Sequence, residues 1–234
     1  MKKKIVLLLL TALMVFAAVP ALAAVPKTSE KTGLVTIEGK QYYYGKNKKL
    51  VKNKKVYKIK KKYYNIDKKG VVTEWTGVYA KACKRLASLK AVPKNTKSKT
   101  LQASLKKAFK WSATGLRFSN SAAPSKVKDP VEDYAKYGFS KKRGDCNVQA
   151  ATFCAMATVL GYKAKLVQGY VPQALKNGKP SKFGEHAWVT IKMGKKTYVF
   201  DPNCEKTHKA GWKFKYGAKG HYRYFDADKK EIGK

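Results

Sequence analysis

Three residues in this sequence have the types and the spacing to build a nucleophilic site. Cys146 ends Arg143-Gly-Asp-Cys146 and directly precedes the apolar run from Asn147 to Leu160. A cysteine so placed opens a helix, where the dipole and the free N–H groups of the first turn favour the thiolate, the nucleophilic form. Such a nucleophile needs a base within hydrogen-bond reach, and the base needs a third group to orient it. The chain has three histidines, His186, His208 and His221. The last two sit in polar, lysine-rich stretches that read as surface. His186 opens a strand in Glu185-His-Ala-Trp-Val189, and Asp201 follows in Tyr198-Val-Phe-Asp-Pro202.

Strand geometry tests whether His186 and Asp201 can meet. Residues 186–192 and 196–201 read as two strands around a turn at Gly194. A two-residue loop at Met193-Gly194 puts His186 opposite Asp201, whereas a loop at Gly194-Lys195, or one of four residues from Met193 to Lys196, puts Trp188 opposite Asp201. In both registers His186 and Asp201 share a face, since side chains alternate with period two. Their Cβ atoms are then about 4.5–5.5 Å apart if opposite, or roughly 7–8 Å or less if diagonal. A regular three-residue loop breaks the pairing unless a bulge restores it. Singly, each residue also has a structural explanation: a core cysteine, a satisfied strand-end histidine, an Asp-Pro turn. Together they describe a Cys-His-Asp site.

The remaining motifs carry a family resemblance. Arg143-Gly-Asp-Cys146, Leu160-Gly-Tyr-Lys-Ala-Lys-Leu-Val-Gln-Gly-Tyr170, Glu185-His-Ala-Trp-Val189 and Tyr198-Val-Phe-Asp-Pro202 occur in order. Residues 129–203 thereby resemble the core of the transglutaminase-like superfamily. The resemblance implies an α+β, papain-like fold in which a buried central helix packs on an antiparallel sheet. It also implies Cys146 as nucleophile, His186 as base and acid, and Asp201 as the orienting group. The implied chemistry is acyl transfer from an amide through a Cys thioester, to water in a peptidase or amidase, or to an amine in a cross-linking enzyme. Neither a metal nor a cofactor is called for. Trp188 either shields the thioester or is a packed aromatic.

The elements around these motifs follow from periodicity. Residues 147–160 are apolar nearly all round, which marks a helix buried in mid-domain, with Gly161 as its stop. Helices are also expected from Val78 to about Leu89, from Ser98 to Trp111, and from Pro130 to about Tyr137, the last capped by Asp129. Lys163 to Val171 reads as a strand, Pro172 to Gly184 as a polar loop, and the aromatic tail from Gly211 as added edge strands. Together residues 78–234 form the expected domain.

Ahead of it, residues 34–75 are a lysine- and tyrosine-rich segment with an internal repeat. Gln41-Tyr-Tyr-Tyr44 recurs as Lys62-Tyr-Tyr-Asn65 and Leu50-Val51 as Val71-Val72, both offset by 21. Aromatic runs separated by Gly, Asn and Asp suggest tandem β-hairpins, or a lysine-rich spacer with hairpin tendency. Gly39-Lys-Gln-Tyr-Tyr-Tyr44 and Tyr63-Tyr-Asn-Ile-Asp-Lys-Lys-Gly70 resemble the cell-wall-binding, choline-binding-like hairpin repeats of exported Gram-positive proteins. That likeness implies wall-binding aromatics at Tyr42, Tyr43, Tyr63, Tyr64 and Trp75.

Export fits the start of the chain. Lys2-Lys-Lys4, an apolar run from Ile5 to Val19 and Pro20-Ala-Leu-Ala-Ala24 read as a secretory signal over 1–24, with an uncleaved anchor as the alternative. The formal net charge is +38, and only four of the basic residues are arginines: Arg85, Arg117, Arg143 and Arg223. Lysine lacks the planar fork used to read bases, so the charge points to diffuse attraction rather than to specific nucleic-acid binding. The expected partners are protein or peptidoglycan-type peptides at the site, and anionic wall polymers or a membrane surface elsewhere. A solvated lysine-rich surface is the alternative. The expected location is secreted and wall- or surface-associated. Cys83, Cys146, Cys154 and Cys204 show neither a dense disulfide framework nor a Cys-x-x-Cys pair. A Cys83–Cys204 bridge is possible.

Overall fold

The computed structural model describes residues 25–233. The secretory signal expected at 1–24 lies outside them. The architecture is α+β, with helices packed against antiparallel sheet.

Its centre is helix α4 (Cys146–Val159), which buries Val148 through Ala157 and Val159. Asp145 caps it by accepting from the Val148 N–H at 2.9 Å. Three helices surround it: α1 (Gly77–Ser88), α2 (Ser98–Thr114) and α3 (Pro130–Lys141). Asp129 caps α3 through the Glu132 N–H at 3.0 Å, with Pro130 at the first helical position, where its missing N–H costs nothing. Leu86, Leu105, Phe109, Phe153, Met156 and Leu160 join one continuous core.

Strands β8 (Ala164–Lys176), β9 (Lys179–Met193) and β10 (Lys196–Phe200) form an antiparallel sheet in the order β10-β9-β8. Ala187, Val189, Ile191 and Phe200 belong to the core built around α4. Trp188 and Val199 belong to a second cluster with Phe214 and Tyr224 of the tail. Helix α5 (Pro202–His208) follows β10. Strands β6 (Arg117–Phe118) and β7 (Arg143–Gly144) pair in parallel just ahead of α4.

Two expectations about the domain are corrected. Residues 172–184 are not a loop: β8 and β9 continue as a ribbon to a turn at Asn177-Gly178, whose φ values are +51° and +72°. Asn-Gly is the dipeptide that a two-residue hairpin turn of this handedness selects. The tail from Gly211 contributes single bridges, Val199–Phe214, Tyr170–Phe225 and Phe225–Glu231, rather than edge strands.

The N-terminal segment consists of the hairpin β1 (Gly33–Ile37) and β2 (Lys40–Tyr44), then β3 (Lys54–Ile59), β4 (Lys62–Ile66) and β5 (Val72–Trp75). The hairpin turns fall at 38–39 and 60–61, and the bridge Tyr44–Leu50 corresponds to the pair Ile66–Val72. The structural repeat is therefore 22 residues, one more than the offset that best aligns the tyrosines. A one-residue slip exchanges the two faces of a strand. Tyr42 corresponds to Tyr64 and Tyr44 to Ile66, and these four side chains point inward. Val56 lies in the domain core, with Tyr63 and Trp75 packed against it, so the segment is seated on the helices.

Candidate active site

Cys146 sits at the first helical position of α4 and is half-buried. The local sequence explains the tight approach of the chain before it. A Cβ on Gly144 would lie 2.3 Å from Val148 Cβ, so only glycine fits between β7 and the first turn. Asp145 satisfies the Val148 N–H, which leaves the N–H groups of Cys146 and Asn147 without acceptors, as expected at a helix start.

The β9–β10 turn takes the register with its loop at Gly194-Lys195: Lys196 pairs with Met193 and Phe200 with Val189. His186 and Asp201 are thus diagonal neighbours on one face. The carboxylate can only accept, so His186 Nε2–H donates to Asp201 Oδ2 over 2.7 Å. His186 is 7% exposed and Asp201 is fully buried. Cys146 lines the same groove as His186 and adds to the forces that hold the imidazole proton, and Nδ1 is the ring nitrogen not engaged by Asp201. The three residues selected from the sequence therefore meet in the order thiol, imidazole, carboxylate.

The electrostatics favour a charged imidazole. Burial opposes the imidazolium, but the Asp201 carboxylate, through charge and hydrogen bond, and then Cys146 outweigh it and lift the His186 pKa well above 6.5. The other three thiols are held protonated. Burial pushes Cys83, Cys154 and Cys204 each up to about 12. All four cysteines are free, Cys83 and Cys204 included.

Asp201 is itself held by two further donors. Its Oδ1 accepts from the Cys204 N–H of α5 at 2.9 Å, and its Oδ2 also accepts from the Tyr224 hydroxyl at 2.8 Å. Sequence reasoning missed Tyr224. The alternating aromatics of the tail were a signal for packing, yet only the bridges that lay the tail along β8 and β10 single out this tyrosine.

Trp188 is fully buried, donates its Nε1–H to Tyr216 Oη at 2.7 Å and lies 4.7 Å from the Tyr224 ring. It is the packed aromatic of the two alternatives, behind His186 rather than over the thiol. Cys146 and His186 open onto a groove walled by Phe118, Asn120, Gln173, Glu185, Asn203 and Tyr222. His208 is exposed, and His221 stacks on Phe214 at 3.9 Å, away from the dyad.

Of the aromatics expected to bind wall polymer, Tyr42 and Tyr64 are each 5% exposed. Tyr43 meets Tyr57 edge to face at 5.5 Å, and Trp75 donates to Lys55 O at 3.0 Å. Tyr63 packs against the domain core. These five do not converge on one exposed face. Among the described residues no group of His, Cys, Asp and Glu could hold a metal ion.

The site is thus a cysteine at the start of a buried helix, facing a histidine–aspartate hairpin. The model of the Transglutaminase-like superfamily matches residues 90–202, a stretch that contains Cys146, His186 and Asp201. No curated protein matches the chain. Among solved structures, a candidate cysteine protease from Cytophaga hutchinsonii is similar at 17% identity and a TM-score of 0.37, over 55% of this chain and 40% of that one. A structure described as a TGase is similar at 15% identity and a TM-score of 0.38, over 62% of this chain and 35% of that one. The chain thus spans less than half the length of either.

Proposed function

We propose that this protein is an exported, surface-associated thiol enzyme that transfers an acyl group from an amide through a Cys146 thioester. The observation that carries the reading is the convergence of Cys146, His186 and Asp201, with His186 2.7 Å from Asp201 and sharing one groove with Cys146.

The steps follow from those positions. Cys146 Sγ, as thiolate beside the His186 imidazolium, attacks the amide carbonyl carbon and forms a C–S bond. The carbonyl oxygen becomes an oxyanion, for which the free Cys146 N–H is the backbone donor. The side-chain donor is Asn147 Nδ2, 4.0 Å from Sγ, its amide oriented by Gln168 Nε2 donating to Asn147 Oδ1 at 2.7 Å. His186 gives its Nδ1 proton to the departing amine nitrogen as the C–N bond breaks. In the second half, His186 takes a proton from the incoming water or amine, which attacks the thioester and frees the thiolate. Asp201 keeps the imidazole in this orientation throughout.

The substrate is a protein or a peptidoglycan-type peptide at the outer surface, where the secretory signal read at 1–24 directs the chain. The lysine surface attracts anionic wall polymer or headgroups.

Incubating the protein with wall fragments and a labelled primary amine tests the reading. Amine incorporation identifies a cross-linking enzyme and release of new amino termini a peptidase, and both disappear in Cys146→Ala. A thiol probe supplies the second arm: Cys146 labels much faster than Cys83, Cys154 or Cys204. Equal labelling of all four, with neither product, would leave a non-catalytic wall-binding scaffold and overturn the proposal.

A further inference from the structure

We propose that a pocket between α1 and α3, remote in its residues from the thiol site, binds a phosphate-class oxyanion. Lys81, Lys84, Arg85 and Ser88 line one wall and Phe139 and Ser140 the other. The α1 residues fall at i, i+3, i+4 and i+7, so the helix period alone brings three cations and a hydroxyl onto one face.

Arg85 sets this cluster apart from the many solvated lysines. Its guanidinium lies 4.1 Å over the Trp111 ring, and Trp111 stacks on Phe139 at 6.1 Å and 8°. Stacking of this kind fixes the plane of the arginine fork and leaves its N–H edge to be satisfied in that plane. One N–H, at Nη1, reaches Ser88 Oγ at a long 3.4 Å. Nε is buried and has no acceptor. A buried donor without an acceptor costs about 1–3 kcal/mol, more when charged, so the site is short of an acceptor. No carboxylate supplies one, because the ion pairs among the described residues are Lys48–Glu30, Lys62–Glu74, His186–Asp201 and Arg223–Glu231.

The missing partner is an anion, and donors on both walls specify its shape. A planar carboxylate would engage the arginine edge alone. A tetrahedral phosphate can take the Arg85 edge with some oxygens and meet Lys81, Lys84 and the Ser140 hydroxyl with others. The net charge of +38 favours any anion in general, whereas the stacked Arg85 fork is oriented and paired with no carboxylate, unlike that of Arg223, which is taken by Glu231.

Because the chain has only four arginines, their Nε–H signals can be followed one by one by NMR in isotope-labelled protein. At constant ionic strength, inorganic phosphate and the diester glycerophosphoglycerol are titrated separately, with chloride and acetate as comparators. The expected result is a saturating shift of the Arg85 Nε–H with phosphate or diester, and acetate binding weaker by about tenfold. The tighter of the two phosphates names the source, a free monoester or a diester of wall polymer or lipid headgroup. Arg85→Lys keeps the charge and removes the fork, and should weaken phosphate binding, followed on the backbone amides of α1, by about tenfold. Should that variant fail to fold, Lys81→Met with Lys84→Met, both at exposed positions, should weaken it about fivefold with the Arg85 signal still visible. The proposal is overturned if all four arginines drift together without saturation, if acetate matches phosphate, or if both variants titrate like the parent.

Discussion

The N-terminal hairpins and the β9–β10 hairpin use the same device, two-residue turns with period-two burial, for opposite ends. In the first, the inward face is volume: Tyr42, Tyr44, Tyr64 and Ile66 fill the space between short strands. In the second, the buried face carries His186 and Asp201, a polar pair with almost no solvent contact. Burying such groups is tolerable only when every donor and acceptor is matched, and here three donors converge on one carboxylate. The first region should therefore respond to lost methylenes, and the second to single atoms.

The largest effect should come from the polar hairpin. His186→Ala removes the counter-ion and the proton carrier while leaving the Cys146 backbone in place. Turnover, or failing a substrate the alkylation rate of Cys146, should fall by about 10²–10⁴-fold. A loss under threefold would mean that the dyad does not act as a unit.

Next in size is the hydrophobic region, where two neighbouring tyrosines can be set against each other. Tyr64→Ala deletes a buried ring and should cost about 3–5 kcal/mol in thermal or denaturant unfolding. Tyr43→Ala removes a half-exposed ring and should cost about 1 kcal/mol. Equal costs would show that the inward face is wrongly assigned and restore the 21-residue alignment of the repeat. Neither substitution should alter Cys146 alkylation.

Tyr224→Phe probes the same contrast within the site. It deletes one oxygen and keeps the ring packed against Trp188, so any effect belongs to the bond to Asp201. Loss of a hydrogen bond to a buried charged group should cost about 1.5–3 kcal/mol of stability. The pH profile of Cys146 alkylation should also move, whereas a purely structural role would lower stability and leave the profile fixed.

This contrast also explains what was legible in the sequence. The pairing of His186 with Asp201 could be read because both residues lie in one hairpin, where parity survives either placement of the loop. The repeat misaligned because two separate copies were matched by residue type, and a run of three tyrosines presents an aromatic on both faces. Helix α4 was plain from its all-round apolarity and from Gly161 as its stop. The β8–β9 ribbon was obscured by Pro172 and by lysines at 176, 179 and 182, although Asn177-Gly178 marked its turn. Tyr224 was hidden because its role depends on a contact 23 residues distant, made by a tail without regular structure.

The last effect is a slope, and its sign separates the two regions most cleanly. His186 binds its proton more tightly folded than unfolded, with a pKa raised from 6.5 despite its burial, through Asp201 and Cys146. For a raised pKa the stabilisation is complete below the unfolded value and is lost as pH rises through the folded value. Stability should therefore decline above about pH 6.5 by at most about 1.4 kcal/mol per pH unit, the share of one proton. His186→Gln has no such proton, so its unfolding free energy should lie furthest below the parent near pH 6 and approach it as pH rises toward 10. Parallel pH curves for parent and His186→Gln would contradict a protonated imidazole held by Asp201. Tyr64→Ala should run parallel to the parent across the same range, since it leaves His186, Asp201 and Cys146 in place.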